Sequence, residues 1–338
     1  MLIDYIKLNN FRIHKEYYLK IKPDTTLILG ANGIGKTSVI EAIYLVLRGK
    51  SFKATDKEIL NRESEFYRIE LGKTDGEKIV ATFDGNKKQF LVQDKKSARL
   101  PKKDKYPVIL FLPEDMHLIS TSPTKRRNYF DRILEEFDLN YHHNLLMYEK
   151  TLKQRNDLLK KIAISEQEFG LESESVFFSL NIMLSKYGTA INQTRQRYIG
   201  RINEKMTTLY RSIAQNEDEI EIYYDSLCGL SQNDYYKRLD AEFRMDLMRG
   251  ATKFGVHRDD FLFKFNGVLA DGTASRGELR SMILAMKFIE ADLIFQETGK
   301  KPVVLLDDVF SELDNTRQKC LVRNFKDNQV IITSVEEV

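Results

Sequence analysis

The segment Gly30-Ala31-Asn32-Gly33-Ile34-Gly35-Lys36-Thr37 fits the pattern G-x-x-x-x-G-K-[ST] at every fixed position. Glycines at these intervals let the backbone curl until successive N–H groups point inward, which makes a cradle for phosphate oxygens. An apolar run, Thr25–Leu29, leads in; an amphipathic stretch, Lys36–Arg48, leads out and stops at Gly49. The order is therefore strand, loop, helix, with the positive end of the helix dipole facing the same anion. In such a loop Lys36 reaches the β- and γ-phosphates of a nucleoside triphosphate such as ATP. The Thr37 hydroxyl ligates Mg²⁺, and Ser38 follows in the first helical turn.

Two further segments carry chemistry. Val303-Val304-Leu305-Leu306-Asp307-Asp308 is four apolar residues closed by two carboxylates. It reads as a buried parallel strand with both acids at its C-terminal end, where open α/β sheets bind ligands. Asp307 is placed to hold Mg²⁺ directly or through water, and Asp308 to orient or activate an attacking water. Ser275-Arg276-Gly277-Glu278 opens another helix, Glu278–Phe295. Ser275 with Glu278 three residues on is a capping box, and the same geometry makes an anion site.

These residues need a scaffold that brings strand ends together. Short β-rich runs (Leu2–Leu8, Thr25–Leu29, Ile79–Phe83, Gln89–Val92, Val108–Leu112) alternate with turn signals at Thr74-Asp75-Gly76 and Asp84-Gly85-Asn86. From Pro123 to about Tyr224 helical spacing takes over. Leu180, Leu184, Tyr187, Ile191, Thr194, Tyr198, Ile202, Met206, Leu209 and Ile213 form one stripe along a long helix, with Thr121–Phe137 and Tyr141–Ile162 as partner helices. Strand signals return at Phe261–Phe265, Val303–Leu306 and Gln329–Thr333 around a helix at Gly277–Phe295. The expected fold class is α/β: one head with a mixed sheet, built from 1–112 plus 245–338, with an inserted all-helical lobe at 113–244.

Composition narrows the classes. The 338 residues are 42% hydrophobic and 30% charged, as in a soluble globular protein. No run approaches the roughly 18 apolar residues of a membrane span. The N-terminus has no basic segment followed by an apolar one, so secretion is set aside. Two cysteines are too few for a disulfide framework, and the five histidines lack zinc-ligand spacing with them. A cytoplasmic setting follows. The net charge of +3 names no partner.

The order of phosphate loop, S-x-G-E segment, apolar-Asp-Asp strand and trailing Ser311-Glu312-Leu313-Asp314 resembles an ABC-type ATPase head, with Walker A, signature, Walker B and D-loop. More narrowly the chain resembles the RecF family, bacterial recombination-mediator ATPases related to SMC heads. Matching stretches run through the chain in order: Leu8-Asn9-Asn10-Phe11-Arg12, Glu41-Ala42-Ile43-Tyr44, Phe111-Leu112-Pro113-Glu114-Asp115, Arg126-Arg127 with Asp131-Arg132, Tyr148-Glu149 with Leu152-Lys153-Gln154-Arg155-Asn156, Gly255-Val256-His257-Arg258-Asp259-Asp260, and Leu305 through Asp314. The resemblance implies that Arg12 approaches the nucleotide phosphates from beneath the loop. It implies that Ser275, Gly277 and Glu278 act in trans on the other subunit's γ-phosphate, so that ATP closes a head-to-head homodimer organised by Asp314. Glu114 stands at the Q-loop position, and Thr333-Ser334 stand where many ABC ATPases carry a His. Both departures imply slow hydrolysis used as a switch.

Resemblance also implies double-stranded or gapped DNA as ligand, RecR and RecA as pathway partners, and no membrane. From the residues themselves, eight basic side chains between Lys87 and Lys105 (among them Lys102 and Lys103) face only Asp94 and Asp104. Lys125, Arg126, Arg127 and Arg132 make a second group, and Arg195, Arg197, Arg201, Lys205 and Arg211 a third. Such clusters suit phosphate-backbone binding without base reading. Competing readings are a transporter ATPase subunit, disfavoured by the basic runs and the missing switch His, and an SMC-like head with a protein partner and no DNA role.

Overall fold

The computed structural model describes residues 2–165, 171–228 and 231–335. The chain divides into two compact units, 1–117 with 280–338 and 118–279. The first unit is built from both ends of the chain and the second from the stretch between them, at bounds later than 112/113 and 244/245. The reason is strand pairing, since residues 260–265 join a sheet inside the second unit.

The first unit holds two sheets rather than one mixed sheet. Strands β1 (Ile3–Phe11), β2 (His14–Lys20), β4 (Tyr67–Lys73), β5 (Lys78–Phe83), β6 (Lys88–Val92) and β7 (Lys95–Ser97) form a six-stranded antiparallel sheet in the order β2-β1-β4-β5-β6-β7. Gly76 and Gly85, at φ 84° and 85°, close the two hairpins that flank β5. Strands β3 (Thr25–Leu29), β8 (Val108–Phe111), β12 (Val303–Asp307) and β13 (Val330–Ser334) form a parallel sheet in the order β3-β13-β12-β8. The last three are buried along their whole length, which is why they read as continuous apolar runs.

Helix α1 (Lys36–Arg48) buries every residue except Thr37, Ser38 and Arg48. Its side chains share one apolar cluster with Ile6 and Leu8 of β1, Leu71 of β4, and Val303, Leu305 and Ile331 of the parallel sheet. A helix apolar on all sides fits only between layers, and this enclosure fixes the loop at its N-terminus. The short α2 (Asp56–Ile59), α8 (Arg276–Thr298) from Arg280 onward, and α9 (Asn315–Asn324) complete the unit.

The second unit comprises α3 (Pro123–Phe137), α4 (Leu139–Ser165), α5 (Leu171–Ala214), α6 (Gln232–Ala241) and α7 (Phe243–Arg249). The expected stripe is the buried face of α5: Leu184, Ile191, Ile202 and Met206 are at most 3% exposed. The lobe is not all-helical. Strands β9 (Ile220–Asp225), β10 (Asp260–Phe265) and β11 (Val268–Leu269) make a three-stranded antiparallel sheet. Ile220 and Ile222 alternate inward with a period of two. The free edge of β9 is satisfied by α5: the Asn203 amide bonds both N–H and C=O of Ile222, and the Thr207 hydroxyl does the same for Ile220. Among the described residues no helix is long and apolar enough to cross a membrane.

Candidate functional site

The parallel order β3-β13-β12 sets three strand C-termini side by side. The glycine loop leaves β3, Asp307 ends β12 with Asp308 just beyond it, and Thr333 is the penultimate residue of β13. Gly35 is the N-cap of α1 at φ 95°, and no side chain caps the helix. The first-turn N–H groups are therefore not consumed by a side-chain oxygen. A Cβ on Gly35 would lie 2.4 Å from His14 Nε2 and 2.7 Å from Ile13 Cδ1, so the β1–β2 turn packs directly on the loop. Lys36 is 8% exposed, and its Nζ donates to the carbonyls of Gly30 at 2.5 Å and Ala31 at 3.0 Å.

Thr37 Oγ1 donates to Asp307 Oδ1 at 3.0 Å across 270 positions of sequence. Thr333 Oγ1 donates to the same oxygen at 2.8 Å and accepts the Asp308 N–H at 2.9 Å. Because the Thr37 hydrogen is spent on Asp307, its lone pairs remain for a cation. A hydroxyl and a carboxylate oxygen are the hard donors Mg²⁺ requires. Asp308 has φ 52°, and its Oδ1 is buried with no hydrogen-bond partner among the protein groups.

The other expected residues divide. The Arg12 fork is committed to Glu41 of α1, at 2.8 Å and 2.9 Å, with Nη1 on the carbonyl of Glu58 at 3.1 Å. Glu41 is 1% exposed and also accepts from Ser51 at 2.6 Å. Arg12 thus braces the helix that carries the loop. Glu114 is exposed, while its neighbour Asp115 is buried and pairs with fully buried Lys287 at 3.2 Å. Lys287 also donates to the carbonyl of Leu110 at 2.7 Å, tying α8 to β8. Asp314 N-caps α9, accepting the Arg317 N–H at 3.0 Å, and that bond holds its carboxyl below the usual carboxylate range. In the second unit the capping box forms: Ser275 N–H donates to Glu278 Oε2 at 2.6 Å and Glu278 N–H faces Ser275 Oγ at 3.4 Å, with Gly277 between them.

Basic residues separate by burial. Lys125, Lys95, Lys96, Arg99, Lys102 and Lys103 are exposed. Arg126, expected on a DNA-facing surface, is 8% exposed and forks onto Asp260 at 2.6 Å and 2.8 Å. Arg127 donates to the carbonyl of Asp259 at 2.6 Å. Arg195, counted with the long-helix cluster, is fully enclosed and bonds Asp131 at 2.8 Å and the carbonyl of Val256 at 2.9 Å. A partner far along the chain decides between solvated and buried Arg, and sequence alone did not reveal it. Lys103 instead joins Lys73, Lys105, Lys300 and Lys301 around a cleft of about 520 Å³ that also holds Asp104 and Asp327. The cleft lies at the N-terminal ends of β12 and β13, opposite the phosphate loop.

The sequence reading missed the purpose of Gly255–Asp260 and its companions. These stretches converge on one buried polar core in the second unit. His257 Nε2 donates to the carbonyl of Thr252 at 3.1 Å, so Nδ1 accepts from Tyr148 OH at 2.8 Å. Tyr148 in turn meets Tyr235 OH at 3.1 Å, which accepts the Val256 N–H at 3.2 Å. Burial pushes the imidazole down to about 4. Arg155 is fully buried on Asp246 at 2.8 Å, Thr252 at 2.6 Å and Asn181 at 2.9 Å. The readable signal was the density of His, Tyr, Arg and Asp within short stretches of otherwise helical sequence.

Known proteins are similar to this chain in sequence and fold. Residues 1–249 match the family model described as AAA ATPase domain. The DNA replication and repair protein RecF of Clostridium kluyveri is 34% identical over 342 residues, covering 98% of this chain and 92% of that protein. The RecF of Clostridium perfringens is 32% identical with the same coverage. A solved structure of the recombination mediator protein RecF with ATP, from the RecFOR pathway, superposes with a TM-score of 0.87 at 30% identity, covering 99% of this chain and 92% of that one. The chain belongs to the RecF family of DNA replication and repair proteins.

Proposed function

We propose that the chain is an ATP-dependent DNA-binding switch of recombinational repair in the cytoplasm. The bond between Thr37 and Asp307 carries the reading, because it joins the phosphate loop to the acidic strand end. The loop from Gly30 through Ala31, Asn32, Gly33, Ile34 and Gly35 wraps the triphosphate, with Lys36 on the β- and γ-oxygens and Ser38 in the first turn behind Thr37. Thr37 and Asp307 are the residues that would hold Mg²⁺, which would neutralise phosphate charge when bound. Asp308 accepts the proton of the attacking water. Arg12 acts through Glu41 and α1 rather than on the phosphates.

In this reading Ser275, Gly277 and Glu278 meet the γ-phosphate of a second copy, and Asp314 lines the contact between copies. ATP therefore assembles a homodimer on double-stranded or gapped DNA, and slow hydrolysis releases it. Glu114, exposed at the position of the Q-loop, is a sensor candidate. The RecFOR pathway named for the solved relative supports RecR as a partner, and family resemblance alone adds RecA. The exposed lysines of the β6–β7 region, Lys102, Lys103, Lys125 and the lysine-rich cleft supply phosphate-backbone contacts; Arg126 and Arg127 hold the second unit together instead.

Sedimentation with and without ATP and duplex DNA tests the proposal. ATP is expected to shift the chain from monomer to dimer, and the shift should vanish in Lys36→Ala and in Ser275→Arg. A monomer unmoved by ATP and DNA overturns it.

A further inference from the structure

The glycine loop and Asp307 explain how phosphate and cation would be handled, and neither explains how Asp308 is held. We propose that Thr333 is the positioning residue of the hydrolytic centre. Its single buried hydroxyl orients the Asp307 carboxylate and also pins the backbone from which Asp308 presents its own. The inference rests on the reading of Asp308 as the group that activates water.

Thr333 is 0% exposed, and its hydroxyl has one hydrogen. That hydrogen goes to Asp307 Oδ1 at 2.8 Å, while an oxygen lone pair accepts the Asp308 N–H at 2.9 Å. The same N–H also faces the Thr333 carbonyl at 3.2 Å, so Asp308 is fastened to Thr333 twice. The fastening holds a left-handed conformation, φ 52° at Asp308, which residues other than glycine adopt uncommonly. Such strain persists only where neighbours over-determine it.

A second cost sits at the same residue. Asp308 Oδ1 is buried and unpartnered, whereas Asp307 Oδ1 accepts two hydroxyl hydrogens. A buried acceptor left without a donor is destabilising and calls for a reason. Strained backbone and an idle carboxylate oxygen together describe a base held ready for a proton from a small ligand. A β-branched Thr suits the task because its χ1 is stiff, which fixes the hydroxyl without further support. The switch position has thus become a brace on both acids.

Single-turnover ATP hydrolysis and nucleotide affinity, measured on the full chain, separate the possibilities. Thr333→Val is expected to slow hydrolysis about 100-fold, the cost of about 1 Å of misplacement, well beyond any fall in nucleotide affinity. Thr333→Ser should recover most of the rate because the hydroxyl returns. If the Val variant fails to fold, Thr333→Ala adds no bulk and carries the same expectation. Wild-type rate in the Val or Ala variant overturns the proposal, as does a Ser variant as slow as Val. If the wild type does not hydrolyse ATP, or Asp308→Asn hydrolyses it as fast, the reading of Asp308 fails and this proposal with it.

Discussion

Gly35 is the residue on which the phosphate loop turns. Its φ of 95° lies where side chains are strained, and a Cβ there would collide with His14 and Ile13 of the β1–β2 turn. Strain of about 1–3 kcal/mol at such a position is expected to weaken nucleotide binding about 5- to 150-fold in Gly35→Ala. The buried core around α1 should stay intact, because none of its apolar contacts involves Gly35. Equilibrium binding of ATP checks this, and unchanged affinity would count against the loop geometry. Arg12 shows the opposite case at this scale. Family resemblance implies a phosphate ligand there, while the side chain forks onto Glu41 at 2.8 Å and 2.9 Å.

Among the elements, α4 and α6 are tied to the segment before β10 by the polar core around His257, Tyr148 and Tyr235. The imidazole sits at about 4 when folded and near its ordinary 6.5 when unfolded. Between these values the unfolded chain binds a proton that the folded chain refuses. Stability from this group is therefore complete above pH 6.5 and declines as pH falls toward 4, by at most about 3 kcal/mol. Urea unfolding at pH 7.5 and pH 5 should show a larger loss for the wild type than for His257→Gln, whose amide can make the same two bonds without titrating. Equal losses would remove His257 as the cause.

Helix α1, the stripe on α5 and strands β3 and β12 were legible because their signals are local: spacing, an apolar run, a glycine stop. Strand β4 carries Tyr67, Ile69 and Leu71 inward in plain alternation, yet the reading passed over it because Arg68 and Glu70 between them made it look polar. Strand β9 was hidden by the helical character of the sequence before it, and its pairing with β10 depends on residues about forty positions away.

For the whole molecule, the near-zero net charge conceals an uneven distribution. The cleft at the base of the parallel sheet gathers five lysines against two aspartates. If it grips duplex DNA, affinity falls steeply between about 50 and 200 mM salt, and the charge reversals Lys103→Glu, Lys300→Glu and Lys301→Glu together flatten that slope by about three contacts. Fluorescence anisotropy with duplexes of unrelated sequence should show the same loss for each. An unchanged slope places the DNA elsewhere.

Sequence alone determined the phosphate loop, the helix behind it and the acidic strand end, since each is specified by neighbours within a few residues and by backbone freedom that only glycine offers. Tertiary structure decided which of these groups act together. Thr37, Asp307 and Thr333 share one carboxylate oxygen because parallel register sets β13 between β3 and β12. The same long-range packing turned Arg126 and Arg195 from surface cations into buried ion pairs, because desolvating a guanidinium is tolerable only beside a carboxylate that the fold delivers.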